Sequence, residues 1–268
     1  MKGKNIFALF EFAYCPKYND AINYLATSLA DSEPWDFSDA TEKKHTILKN
    51  YLEHIFRKVH AERNIAYTQN NSHACFNTGL ITKNLEEIYA FFEARRPLAL
   101  NDNLSAPYVL KAFLKKSDNT LLRIFAGNLP DIANFFNKPE DLIFNPRCEL
   151  IPQIDHIIED NVDRFPIHMK GLELDEIRRR LEGAIREVKQ RVKTNYKLAV
   201  PQYYNNKIQL LLPLCLTPGS PNADLALVAH KISESSRVVY TARTCLTLKM
   251  AYNNARLIVK PQSSWLIP

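Results

Sequence analysis

A chain of 268 residues can bury a sizeable core, and a composition that is 46% hydrophobic and 24% charged is that of an ordinary globular protein. Six glycines and fifteen prolines argue against a low-complexity or disordered chain. A net charge of +6 and a pI near 9.0 favour a polyanionic partner without choosing among RNA, DNA, nucleotides and membrane.

Five cysteines (Cys15, Cys75, Cys148, Cys215 and Cys245) are dispersed without a C-x-x-C pair, which reads as reduced thiols rather than a disulfide framework or zinc knuckle. Lys2 and Lys4 precede the apolar run Ile6–Phe10, but Glu11 breaks it before it resembles a signal peptide. The apolar, uncharged stretch over residues 208–223 contains three prolines and cannot be a membrane helix. The expectation is a cytoplasmic protein without a membrane segment. No internal repeat is visible.

Apolar spacing at Ile22, Leu25, Ala26 and Leu29 predicts a helix over residues 19–30, broken by Glu33-Pro34-Trp35. A stronger helix is predicted from about Thr41 to Arg63, with Ile47, Tyr51, Leu52, Ile55 and Phe56 on one face. His45, His54 and His60 lie along it, and no acidic partner completes a metal-ligand spacing, so no metal site is expected. Ile65–Thr68 and His73–Phe76 read as a strand pair across a polar turn.

Asn84 followed by Glu87 forms a capping-box pattern and predicts a helix from Leu85 to about Arg95. His73–Leu80 would then be a strand-to-helix connection, where Asn77, Thr78 and Gly79 could aim N–H groups at an anion. The alternatives are a satisfied turn, or a thiol enzyme built on Cys75. Residues 107–115 read as a strand, Leu129–Phe136 as a short helix and Leu142–Phe144 as a short apolar segment.

Residues 154–166 predict a helix on which His156, Asp160 and Arg164 share one side at steps of four. A carboxylate so placed orients a histidine and raises its pKa, which suits acid/base work or phosphate binding; a plain surface ladder is the alternative. Residues 172–194 predict a long amphipathic helix, acidic at its start and basic at its end. Strands follow at 198–200, 207–216, 225–229 and 238–244, with Pro213 expected at a bulge or a ladder end. A closing helix over 246–258 should place Leu246, Met250, Asn253 and Leu257 in one arc, and Lys249, Tyr252 and Arg256 on another side.

The P-loop, dinucleotide-binding, zincin, serine-hydrolase and zinc-deaminase signatures are all absent, and no cofactor is identified. Tyr203, Tyr204, Tyr240 and Tyr252 near basic residues leave room for an aromatic-lined nucleic-acid groove.

The segments Glu33-Pro34-Trp35, Ile47–Leu52 and Phe76–Leu80 recur as motifs in a family known as domain of unknown function 3825. So do Asp155–Ile158, Asn161 with Arg164-Phe165-Pro166, Leu211–Leu214 and Met250–Leu257. Over nearly its whole length the chain resembles that family. The resemblance implies an RNA-associated role, because members are joined to RNA-linked modules such as ribonuclease-like, cold-shock and zinc-finger domains. It supplies no reaction.

The expected fold is α+β, a mostly antiparallel sheet flanked by helices with a helical N-terminal part (about 1–64), as one domain over residues 1–268. The expected function is an RNA- or nucleotide-associated protein with a polar pocket. Asn77, Thr78, Gly79, Asn161, Arg164, Tyr252, Asn253 and Arg256 would bind, and His156 would act as general acid or base on a phosphoester. The alternative is a non-catalytic RNA-binding or protein-interaction module whose polar motifs stabilise the core.

Overall fold

The computed structural model describes residues 8–37, 44–95, 106–234 and 237–267, and the α+β class is as expected. The expected start of the second helix near Thr41 and the N-terminal lysines fall outside these residues. The chain divides into two units, residues 1–134 and residues 135–268.

The first unit opens with α1 (Leu9–Phe12), β1 (Ala13–Tyr14) and α2 (Tyr18–Tyr24), which runs into a π-helical turn (Leu25–Leu29). It continues with α3 (Thr46–Ala61), β2 (Ala66–Tyr67), β3 (His73–Ile81), β4 (Glu87–Ala94), β5 (Tyr108–Lys115) and α4 (Asn119–Phe125). The sheet order is β1-β5-β4-β3-β2, with β1 parallel to β5 and every other pair antiparallel. Successive residues of a strand point to opposite faces. Phe76 meets Phe56 of α3 at 5.5 Å between ring centroids, whereas Cys75 packs with Tyr89, Phe91, Leu121 and Phe125 under α4.

The second unit contains β6 (Glu149–Pro152), α5 (Ile154–Asn161), α6 (Leu174–Thr194), β7 (Val200–Tyr204), β8 (Lys207–Leu214), β9 (Leu225–Glu234), β10 (Arg237–Thr247) and α7 (Leu248–Arg256). Short 3-10 turns lie at Pro139–Asp141, Val162–Arg164, Ile167–Met169 and Tyr196–Leu198. The sheet order is β6-β10-β9-β8-β7, with β6 parallel to β10. Ile157 of α5 and Leu181, Ile185 and Val188 of α6 pack with Leu210, Leu212 and Leu227 of the sheet. On the other face α7 packs on β7, β9 and β10. Pro213 falls beyond the β7 ladder, which stops at Leu211.

Apart from single turns, both units run β-α-α-β-β-β-β-α. In both, the first strand lies parallel to the fifth and the other strands form an antiparallel meander. The chain is therefore a tandem repeat of one topology. No repeat shows in the sequence because the topology needs only matching periodicities, not matching residues.

Three expected elements are corrected. Residues 87–94 form a strand, not a helix. Leu85 (φ +64°) closes a tight turn in which Thr82 bonds to Glu86 and Leu85, and Ile88–Phe92 are buried on both faces. Burial of a continuous aromatic and β-branched run overrides the local capping pattern. No helix forms over 129–136; α4 forms earlier because the Asp118 carboxylate accepts the N–H of Thr120 at 2.8 Å. In α7 the buried face carries Ala251, Tyr252, Ala255 and Arg256, while Met250 is 40% exposed. The small alanines bring the helix close to the sheet, and Leu246 is spent in β10.

Candidate functional site

Asn77, Thr78 and Gly79 lie inside β3, not at a strand-to-helix connection. Asn77 faces Tyr89 and Ile81 faces Glu87, so Thr78, Gly79 and Leu80 stand opposite the single residue Ile88. The bulge is closed by its own side chains. Asn77 Oδ1 accepts the N–H of Gly79 (2.9 Å) and Thr78 Oγ1 accepts that of Leu80 (3.2 Å). Thr78 Oγ1 also donates to the Ile88 carbonyl at 2.7 Å. The N–H of Gly79, expected to face an anion, and that of the neighbouring Leu80 are thus engaged within the strand.

Asn77 Nδ2 donates to Glu87 (3.0 Å) and to Tyr89 OH (3.3 Å), and Glu87 also accepts from Tyr89 OH and from Lys116 Nζ (2.6 Å). The Lys116 hydrogen bond, with those from Asn77 and Tyr89, holds the Glu87 carboxyl below its ordinary value of 4.5. A depressed folded-state pKa contributes stability that is present above the unfolded value and lost as pH falls through the folded one. The urea midpoint of the first unit is therefore expected to drop on acidification below that range, and Glu87→Gln should flatten the drop. An equal drop in wild type and variant would remove Glu87 as its source. Burial pushes the Cys75 thiol up to about 12, which keeps it protonated at neutral pH and argues against a thiol enzyme.

Asn161 and Arg164 are brought together by the turn of 3-10 helix that ends α5. The helix tightens after Asn161, so Arg164 leaves the His156–Asp160 side and turns toward β10. Asn161 is buried. Its Oδ1 accepts from Arg164 Nη1 (2.5 Å), Thr244 Oγ1 (2.9 Å) and the N–H of Cys245 (3.4 Å), and its Nδ2 donates to the Ile157 carbonyl (2.9 Å). Arg164 Nη1 also donates to the Cys245 carbonyl at 2.5 Å. These bonds converge on a bulge in β10, where the register with β9 slips between Ala242 and Thr244 and Arg243 is the extra residue. The extruded Arg243 reaches His156, whose Nε2 is 3.3 Å from Arg243 Nη2 and 3.3 Å from Asp160. The trio has Arg243 where the expected side held Arg164, an arrangement open to either reading of His156, acid/base group or surface ladder.

On α7, Tyr252 and Arg256 are buried and Asn253 is half-buried, its Oδ1 shielded without a hydrogen-bond partner among the described residues. The neighbouring Asn254 donates to Gln202, which in turn donates to Gln209 across β7 and β8. Of the tyrosines proposed for an aromatic groove, Tyr240 and Tyr252 are buried, Tyr203 is half-buried and Tyr204 is exposed. Asn77, Thr78 and Gly79 belong to the first unit; His156, Asn161, Arg164, Tyr252, Asn253 and Arg256 belong to the second.

The second unit also contains a cleft of about 480 Å³ that the sequence did not reveal. The chain after α7 returns past the start of β7, where Trp265 Nε1 donates to the Leu198 carbonyl at 2.9 Å and Leu266 is fully buried. The cleft lies between that tail and residues 195–201. Lys197, Gln262 and Ser264 line it beside aliphatic residues such as Val200, Ala255 and Val259. The only sequence signals were the basic, turn-rich stretch around Lys193–Lys197 and the Pro261–Ser264 turn.

Among the described residues, no group of three or more His, Cys, Asp or Glu side chains could hold a metal ion. Nor is any helix among them long and apolar enough to cross a membrane.

These features define a class: an α+β protein made of two units of one topology, the second carrying a polar-rimmed cleft. The model of the family described as a domain of unknown function (DUF3825) matches residues 26–265, and the chain belongs to that family. No curated protein and no solved structure gives a significant match.

Proposed function

We propose that this protein is an RNA-associated module that binds single strands through its second unit, with the polar motif residues serving the architecture rather than a reaction. The carrying observation is the distribution of charge. Residues 189–260 contain eleven Lys and Arg against two acidic residues, Asp224 and Glu234. Lys193, Lys197, Lys207 and Lys260 are exposed there, and no ion pair engages them among the described residues. Exposed tyrosines stand beside them: Tyr196 adjoins Lys197 in a 3-10 turn, and Tyr204 pairs with Lys207 across β7 and β8. Cations that track phosphates, with aromatic rings on which bases stack, are the two components of single-strand binding.

The reading assigns Asn77, Thr78 and Gly79 to the closure of the β3 bulge, and Asn161 and Arg164 to that of the β10 bulge. It is tested by fluorescence anisotropy of a short single-stranded RNA across a salt series. Affinity should fall steeply with salt, and a Lys193→Glu, Lys197→Glu, Lys207→Glu variant should reduce the logarithmic slope by about 2. Salt-independent affinity, or none at low salt, would sink it. The catalytic alternative rests on His156, set between Asp160 and Arg243. RNA turnover that His156→Ala abolishes would put an enzyme in place of a binding module.

A further inference from the structure

The tandem repeat supplies an internal comparison for the cleft. In each unit a tail follows the last helix and passes the end of the second long helix and the start of the strand after it. In the first unit this place is tied shut. Asn64 Nδ2 donates to the carbonyls of Asp131 (2.8 Å) and Ile132 (3.4 Å), and the Glu62 carboxylate, itself paired with Lys58, accepts the N–H of Asn134. The one carboxylate that takes part, that of Glu62, is balanced by Lys58.

In the second unit the corresponding tail is anchored toward its far end, by Trp265 to Leu198 and by Ser263 Oγ to the Lys197 carbonyl (3.5 Å). The space left open is the cleft of about 480 Å³, and among the described residues its lining contains a lysine and no Asp or Glu. That volume lies within the range of about 300–1,000 Å³ typical of small-molecule sites. One copy of the fold thus ties its tail across this place with hydrogen bonds, and the other leaves a cleft there that is lined by a lysine.

Resting on the RNA-binding reading above, we infer that this cleft holds one nucleotide of the bound strand. Its base would lie against the aliphatic floor of Val200, Ala255 and Val259, and its phosphate would meet Lys197. The chemistry of the lining selects that occupant. A flat apolar face matches the floor, the amide of Gln262 and the hydroxyl of Ser264 offer donors and acceptors to a base edge, and the single cation takes one anionic group. A free sugar would leave the floor without an apolar partner, and an acyl chain would leave the polar rim unused.

The test compares a short single-stranded RNA with its abasic counterpart, by anisotropy on the full chain at about 50 and about 200 mM salt. Val259 is 46% exposed, so Val259→Trp fills the cleft from its wall without disturbing the core. The intact strand should bind wild type about tenfold tighter than the abasic one, and Val259→Trp should remove most of that difference, leaving what stacking on Tyr196 and Tyr204 contributes, without changing the salt slope. Gln262→Ala, which leaves the wall in place, should narrow it. Circular dichroism and the thermal midpoint verify that both variants fold. The inference is overturned if intact and abasic strands bind wild type alike with a steep salt slope, or if both folded variants keep the wild-type preference. If neither strand binds even at low salt, the RNA reading itself fails, and the inference with it.

Discussion

Asn161→Ala is expected to destabilise the second unit by about 3 kcal/mol, because it strips three donors of their shared acceptor at a buried point. Arg164 Nη1, Thr244 Oγ1 and the N–H of Cys245 all converge on Asn161 Oδ1, and Arg164 brings a charge that is then only partly neutralised by the Cys245 carbonyl. Trp265 reports on this unit and Trp35 on the other, so urea unfolding followed by fluorescence in a Trp35→Phe background isolates the effect. Arg164→Ala should cost less in the Asn161→Ala background than alone, since the two side chains form one network. Asn161→Asp should fall between wild type and alanine. It strengthens the attraction to Arg164 but sets a carboxylate oxygen where Nδ2 now donates to the Ile157 carbonyl. A loss below about 0.5 kcal/mol for Asn161→Ala would show that the β10 bulge holds without the network.

The consequence reaches the surface. The bulge ejects Arg243 from the alternation of β10 and sets it beside His156. If the network loosens, the register of β10 can slip, and Arg243 would turn toward the other face of the sheet. The buried motif therefore positions the exposed cation Arg243 beside His156.

How far this was legible from residues alone depends on what each feature needs. The helices α3 and α6 could be read because their apolar stripes are long and regular. The pairing of Asn161 with Arg164 could not, because it depends on where α5 tightens into a 3-10 turn, and the spacing of His156, Asp160 and Arg164 pointed to a continuous helix instead. The strand β4 was hidden by Asn84 and Glu87, whose capping pattern is local, while the burial that decides the strand is tertiary. The cleft joins residues 195–201 with 255–264, two turn-rich stretches that carry no motif and meet only because the tail folds back past β7. Asn77, Thr78 and Gly79 were expected as a strand-to-helix turn and form a bulge inside β3 instead, because composition cannot tell a turn that offers its N–H groups from a bulge that consumes them.

Gly79 distinguishes those two kinds of turn, and Gly79→Ala is expected to cost the first unit about 2–3 kcal/mol. Its φ of +72° lies in the left-handed region, and an added Cβ would stand 2.6 Å from the hydroxyl of Tyr51. That hydroxyl donates to the Thr78 carbonyl at 2.9 Å and ties α3 to the β3 bulge, so the methyl must either displace it or break the bond. Two causes are therefore mixed, the backbone conformation and the collision, and a second substitution separates them. Tyr51→Phe removes the oxygen that is struck and by itself should cost about 1 kcal/mol. Together with Gly79→Ala it should cost less than the two separate losses combined, because the collision is already relieved while the left-handed penalty stays. Trp35, whose ring lies 6.3 Å from that of Tyr51, reports the transition in a Trp265→Phe background. Strictly additive losses would mean that Tyr51 and Gly79 do not share a contact. An anion that stabilised wild type but not Gly79→Ala would restore the bulge as a binding corner. Neither is expected, because Tyr51 and Gly79 meet directly and the N–H groups of Gly79 and Leu80 already have acceptors in Asn77 and Thr78.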